Sequence, residues 1–176
     1  MLRAVVATAF LWGWDAVGIL FWTAFVGLLR PIEMWNLRPS SVQILRGHDV
    51  VVLTIRQAKT WKYAARVQTV VLDCPVLLRA WRKIKYRVCA NTPRRRVFPF
   101  SIETLERRLA AILRALGVPG GATLASFRTG GATEEWIRHR DLPGLRLLGR
   151  WGVERTLEHY IQEATAFMQE EASLRR

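Results

Sequence analysis

The stretch from Ala4 to Leu29 carries a single charge, Asp15, and this constrains the chain more than any other feature. A run of that length can span a bilayer as one helix or form two shorter helices inside a protein core. Three observations decide against the span. A carboxylate at mid-span is expensive in hydrocarbon. Arg30 and Glu33 follow at once in an ordinary amphipathic pattern. No basic n-region with a small-residue cleavage site marks a secretory leader. The stretch therefore predicts a buried helix pair, broken near Gly13 or Gly18. At 176 residues, 51% of them hydrophobic, the chain has the length of about one domain and predicts a real core.

The remaining patterns predict a mainly α fold with a small antiparallel β-sheet. Residues 31–40 (PIEMWNLRPS) begin with a proline, which is tolerated at a first helical position, and reach Pro39, so a short helix is expected there. VVVLTIR at 50–56 and RVQTVVL at 66–72 are β-branched runs on either side of QAKTWKYAA, which reads as a hairpin with a long, basic, aromatic tip. Pro75 opens a helical stretch. Ser101 is an N-cap without a capping box, because Thr104 stands where Glu or Gln would be needed. The helix that follows stops at Gly117. Further helices are expected over 124–139, near 141–149 and near 154–162, ahead of the tail AFMQEEASLRR.

Charge points to a partner. There are 27 Lys and Arg against 14 Asp and Glu, a formal charge of +13, so a polyanion is the first to consider. Of these cations 23 are Arg, whose planar fork suits bidentate phosphate contacts. Residues 1–100 hold 16 basic and 4 acidic side chains and residues 101–176 hold 11 and 10, which places the positive field in the first half. Arg79 to Arg96 contains eight basic residues and no acid. Arg82, Lys83, Lys85, Arg94, Arg95 and Arg96, with Lys62 of the hairpin tip, are candidate DNA contacts; a solvated helix face and loop is the alternative for each. Two cysteines, Cys74 and Cys89, with no CxxC or HxxxH spacing, indicate a reduced intracellular setting and no structural zinc.

Four strings make the reading specific: FVGLLRPIEMWNL (25–37), QAKT (57–60), ASFRTGGAT (125–133) and LLGRWGVERTLEHYI (147–161). In this order, with 98 residues from Arg30 to Arg128, 23 on to Trp151 and 9 on to Tyr160, the chain resembles the catalytic domain of the tyrosine recombinase, or phage integrase, family. The resemblance implies a DNA breaking-rejoining fold and strand cleavage that needs no metal or cofactor. It implies Tyr160 as the nucleophile, through a 3′-phosphotyrosine intermediate. Arg30 and Arg128 would hold the non-bridging phosphate oxygens as charge builds. Lys59 would protonate the leaving 5′ oxygen, with Lys62 three positions further along as its substitute. Trp151 takes a place held by His or Trp, where an indole N–H can bond a phosphate oxygen. Glu33 matches an acid that orients the first arginine.

Two departures from the family pattern bear on activity. The position two before Phe127, commonly His, is Ala125, which can neither donate nor accept a proton, leaving Ser126 or water to substitute. None of His48, His139 and His159 falls there. The chain also starts directly at the matching region, so residues 1–176 read as a single catalytic domain with the N-terminal core-binding clamp domain absent. Residues 161–176 read as a C-terminal tail helix, exchanged in the family with a neighbouring subunit, which implies a homo-oligomer on double-stranded DNA. The expected setting is intracellular, with DNA, and not membrane. The leading expectation is a site-specific recombinase; the alternative is a DNA-binding relative impaired in cleavage by Ala125.

Overall fold

The break in the apolar stretch falls at Gly13. The computed structural model describes residues 1–45, 47–56, 67–89, 95–152, 157 and 161. In it, helices α1 (Leu2–Leu11) and α2 (Asp15–Val26) are separated by a turn in which Gly13 has φ 71°, a left-handed conformation open to glycine without steric penalty. Asp15 thereby lands, exposed, in the first turn of α2, where a carboxylate meets the positive end of the helix dipole. Among the described residues no helix is long and apolar enough to cross a membrane. Gly18, the other candidate break, lies inside α2. A Cβ there would sit 3.3 Å from that of Ala9, so the missing side chain lets α1 and α2 approach closely.

α2 is apolar on every side and is accordingly enclosed, with Val17, Leu20, Phe21 and Ala24 all buried. It packs against α1, α4 (Pro75–Cys89) and α6 (Ser126–His139). Phe21 stacks on Phe127 of α6 with centroids 4.7 Å apart. The buried Thr23 hydroxyl donates to the Ile19 carbonyl at 2.7 Å and accepts from the Trp81 indole of α4 at 3.1 Å, so both polar groups are satisfied. Helix α5 (Ile102–Ala115) begins where Ser101 Oγ accepts the Thr104 N–H at 3.1 Å, and it buries Leu105, Leu109 and Ile112.

The expected hairpin is present and gains a third strand. β1 (Val42–Leu45), β2 (Val50–Arg56) and β3 (Val67–Leu72) form an antiparallel sheet in that order. Val42 faces Leu53, and Val51 faces Leu72. Alternation along β2 turns Val51, Leu53 and Ile55 inward, into the same core as Leu77 and Trp81 of α4. β2 and β3 end opposite one another at Arg56 and Val67, so the segment bearing Lys59 and Lys62 leaves and rejoins the sheet there. That segment lies outside the described residues.

The helix expected over 31–40 divides. α3 (Pro31–Trp35) ends early, and Arg38, which precedes Pro39, is extended as residues before proline prefer; a turn of 3-10 helix follows at Pro39–Ser41. Helix α7 (Leu142–Gly149) starts at Asp141, whose side chain accepts the Gly144 N–H at 3.0 Å. A second, smaller cluster of Leu28, Ala132, Leu145, Trp151 and Leu157 ties α6 and α7 to the end of α2, with Ile161 packed against it. The rest of the helix expected near 154–162 and of the tail lies outside the described residues.

Candidate active site

The site is built on the turn between α2 and α3. Gly27 ends α2, and Leu28, buried, adopts φ 48°, a left-handed conformation that costs an L residue roughly 1–2 kcal/mol. The Leu28 carbonyl accepts two guanidinium donors from distant segments: Arg128 Nη1 from the first turn of α6 and Arg150 Nη2, at 3.0 Å, from the end of α7. Arg150 is itself left-handed, at φ 59°, and its Nη1 also reaches the Gly27 and Leu148 carbonyls at 3.1 and 3.2 Å. Two strained non-glycine residues thus meet at one point, as strain tends to do where surrounding contacts over-determine the backbone.

Glu33 completes this centre. Arg30 is the N-cap of α3 and Glu33 its third residue, so the carboxylate folds back on the residue that starts the helix. Its Oε2 accepts the Arg30 backbone N–H at 2.9 Å, and its Oε1 accepts Arg30 Nη1 at 2.7 Å. Oε2 also accepts Arg150 Nη2 at 2.8 Å in a pair whose side chains are only 5% and 3% exposed. Burial by itself would raise the Glu33 pKa. The Arg150 charge and the hydrogen bonds from Arg30 outweigh it and hold the carboxyl below its ordinary value. Burial pulls the Arg150 pKa down, while the Glu33 charge opposes that shift.

Arg128 and Trp151 form the inner wall. Arg128 is buried and donates through Nη2 to the Gly149 carbonyl as well as through Nη1 to Leu28, so these bonds run inward to main chain. Its guanidinium carbon lies over the Trp151 ring, 4.3 Å from the centroid, a cation–π contact. Trp151 lies so close to Gly149 that a Cβ at Gly149 would fall within its ring. The Gly-Arg-Trp run therefore has steric content: the first residue must be small to seat the third. α6 reaches the α2 turn the same way, since a Cβ at Gly131 would collide with the Phe25 carbonyl.

Of the residues singled out in the sequence, Arg30, Glu33, Arg128 and Trp151 gather around this turn. Lys59 and Tyr160 lie outside the described residues, as do Lys62 and Arg94. The ends of the hairpin strands adjoin the cluster. Val67, Gln68 and Thr69 of β3 share a groove of about 710 Å3 with Arg150 and Trp151. Thr54 and Arg56 of β2 share one of about 330 Å3 with Glu33. Ala125 is exposed just ahead of α6 and supplies no cap to that helix. Ser126 Oγ accepts the Thr123 N–H at 3.0 Å.

The basic candidates on and after α4 are arranged differently. Arg82 pairs with Asp49 at 2.7 Å on the surface, Lys83 and Arg95 are exposed, and Arg96 stacks on Trp35 at 3.3 Å from its centroid. Lys85 lies on α4, its side chain outside the described part. Arg150 does not stand out in the sequence. Its signal was the arginine inside the Gly-Arg-Trp run, hidden because spacing alone does not separate a buried cation from a surface one.

No family model matches the chain, and no curated protein matches it in sequence. Solved structures do share its fold. It superposes on XerA recombinase with a TM-score of 0.71 at 17% identity, covering 97% of this chain and 61% of that one. On XerH site-specific recombinase bound to difH substrate, in a pre-cleavage complex, the TM-score is 0.70 at 14% identity, over 99% of this chain and 51% of that one. On XerH bound to palindromic difH in a post-cleavage complex it is 0.66 at 15% identity, over 89% and 45%. The chain therefore has a tyrosine recombinase catalytic-domain-like fold and spans about half the length of these proteins.

Proposed function

We propose that this chain is the catalytic part of a site-specific DNA recombinase that breaks and rejoins DNA strands through Tyr160. The observation that carries this reading is the meeting of Arg30, Arg128 and Trp151, from three remote segments, at one turn beside the ends of the hairpin strands, in a fold like that of XerA and XerH. Tyr160 Oη, its proton passing to solvent, attacks the scissile phosphorus and forms a 3′-phosphotyrosyl bond as the bond to the 5′ oxygen breaks. Lys59 gives that leaving oxygen its proton. Arg30 and Arg128 stabilise charge on the non-bridging oxygens, and Trp151 braces Arg128. Attack by a 5′ hydroxyl reverses the step without metal or cofactor. Duplex DNA is the substrate and the basic run of residues 79–96 its backbone contact, so affinity falls steeply with salt as counterions are released. Copies assemble on DNA through the tail after Tyr160, whose apolar positions Ile161, Ala164, Met168 and Ala172 recur at helical spacing. Its place is with DNA inside the cell, in a setting of integration, excision or resolution.

Two observations favour a second reading, a DNA-binding relative impaired in cleavage. Ala125 brings no proton donor to its exposed position, and the hydrogen bonds from Arg128 to Leu28 and Gly149 run inward. One assay separates the two readings. Incubation with a nicked suicide duplex followed by a denaturing gel gives a covalent protein–DNA band under the first and none under the second.

A further inference from the structure

Arg150 stands at none of the positions that the family resemblance marks, yet its side chain reaches four partners within the cluster. It is 5% exposed and its two terminal nitrogens make four hydrogen bonds: to the carbonyls of Gly27, Leu28 and Leu148 and to the Glu33 carboxylate. Among the described residues its Nε is buried without a partner, so the side chain is kept in place by those four bonds at the expense of a fifth. Two of these four partners lead to the two arginines proposed to face phosphate. Glu33, held at Oε2 by Arg150, holds Arg30 at Oε1. The Leu28 carbonyl, bonded by Arg150, is also bonded by Arg128.

We infer that Arg150 is a positioning residue that couples Arg30 to Arg128, neutralising Glu33 on one side and fixing the Leu28 carbonyl on the other. The inference rests on the recombinase reading above and deepens it. Without Arg150, the buried Glu33 carboxylate has Arg30 as its sole bonded cation among the described residues. Arg38 and Arg56 line the groove that Glu33 borders. Arg30 is then drawn onto Glu33 and away from phosphate, because a buried charge stripped of one partner strongly attracts the other. Lysine cannot replace the arginine, since a point charge does not span a carboxylate and three carbonyls as a planar fork does.

The test compares the full chain with Arg150→Met, Arg150→Lys, Glu33→Gln and the Glu33→Gln/Arg150→Met double variant. Adduct formation is measured on the nicked suicide duplex, with duplex affinity and thermal melting at pH 4 and pH 7. Arg150→Met lowers the adduct rate at least about a hundredfold and duplex affinity less than about twofold, because the loss falls on the reacting arginines and not on the surface that binds backbone. The double variant, freed of the carboxylate that draws Arg30 away, reacts about tenfold faster than Arg150→Met. A merely structural role would leave it no faster, and that result overturns the inference. An Arg150→Met rate equal to wild type does the same. If Arg150→Met does not fold, Arg150→Lys carries the test: it is expected at about a tenth of the wild-type rate or less, and a wild-type rate refutes the coupling. Melting separates the two claims. Arg150 substitution must lower the midpoint more at pH 7 than at pH 4, where Glu33 is closer to protonation, and an equal loss overturns the pairing whatever the cleavage result. A wild-type chain that gives no adduct while this melting pattern holds overturns the recombinase reading instead.

Discussion

Arg150 and Arg82 are the same residue type in opposite settings. Arg150 sits at the α2–α3 turn, 5% exposed, bonded to three carbonyls and a carboxylate. Arg82 lies on α4, 48% exposed, facing an Asp49 that is 72% exposed. Water and salt screen the second pair, and such pairs contribute about 0–1 kcal/mol. At the first, the desolvated groups depend on each other, and removal of one leaves buried polar groups short of a partner. Net charge therefore finds the face of α4 and says nothing of the turn, which only the tertiary fold assembles.

The largest effect in stability belongs to the turn. Arg128→Met strands the Gly149 carbonyl and leaves the Leu28 carbonyl to Arg150 alone, and a buried polar group left unsatisfied costs about 1–3 kcal/mol. Chemical denaturation should show a loss of that size or more; a change under about 0.5 kcal/mol would place Arg128 with the surface arginines. Next comes Ala125→His, at the exposed edge of the same site. A single well-placed donor is typically worth about 10²–10³ in rate. The yield of adduct should rise toward that factor with folding stability unchanged. No rise in a variant that still binds DNA would favour the non-catalytic relative.

Glu33 gives the comparison a pH signature. Its folded pKa lies below the unfolded value, near 4.5, so its contribution is complete above that value and is lost as pH falls through the lower folded one. Acid unfolding of wild type should lose this contribution below pH 4.5, and Glu33→Gln should flatten that part of the curve. An unchanged curve would mean that Glu33 is not held as described. The smallest effect is at Arg82: replacement by Met should move stability by less than about 1 kcal/mol. It should also reduce the salt slope of duplex binding by about one, as loss of one phosphate contact does. A slope that does not move removes Arg82 from the DNA face.

How much of this was legible in the sequence depends on how local the signal is. The paired apolar helices, the hairpin, the Ser101 cap and the stop at Gly117 follow from neighbouring residues, and they stand where periodicity and turn chemistry put them. β1 was missed because VQIL is four residues long and begins directly after a 3-10 turn, too short for alternation to register. The family strings brought Arg30, Glu33, Arg128 and Trp151 forward as a set. They could not reveal that Arg128 donates inward or that Arg150 ties the set together, since both depend on main-chain carbonyls presented by left-handed Leu28 and by the end of α7.

The proposed mechanism turns on covalent attachment of Tyr160 to DNA. The direct measurement is peptide mapping by mass spectrometry of the protein recovered from a nicked suicide duplex, run in parallel with Tyr160→Phe. Wild type should yield a nucleotide-modified peptide containing Tyr160, and Tyr160→Phe no adduct but nearly intact duplex binding. An adduct that persists in Tyr160→Phe, or one that maps to Tyr63 or Tyr86, would contradict that mechanism.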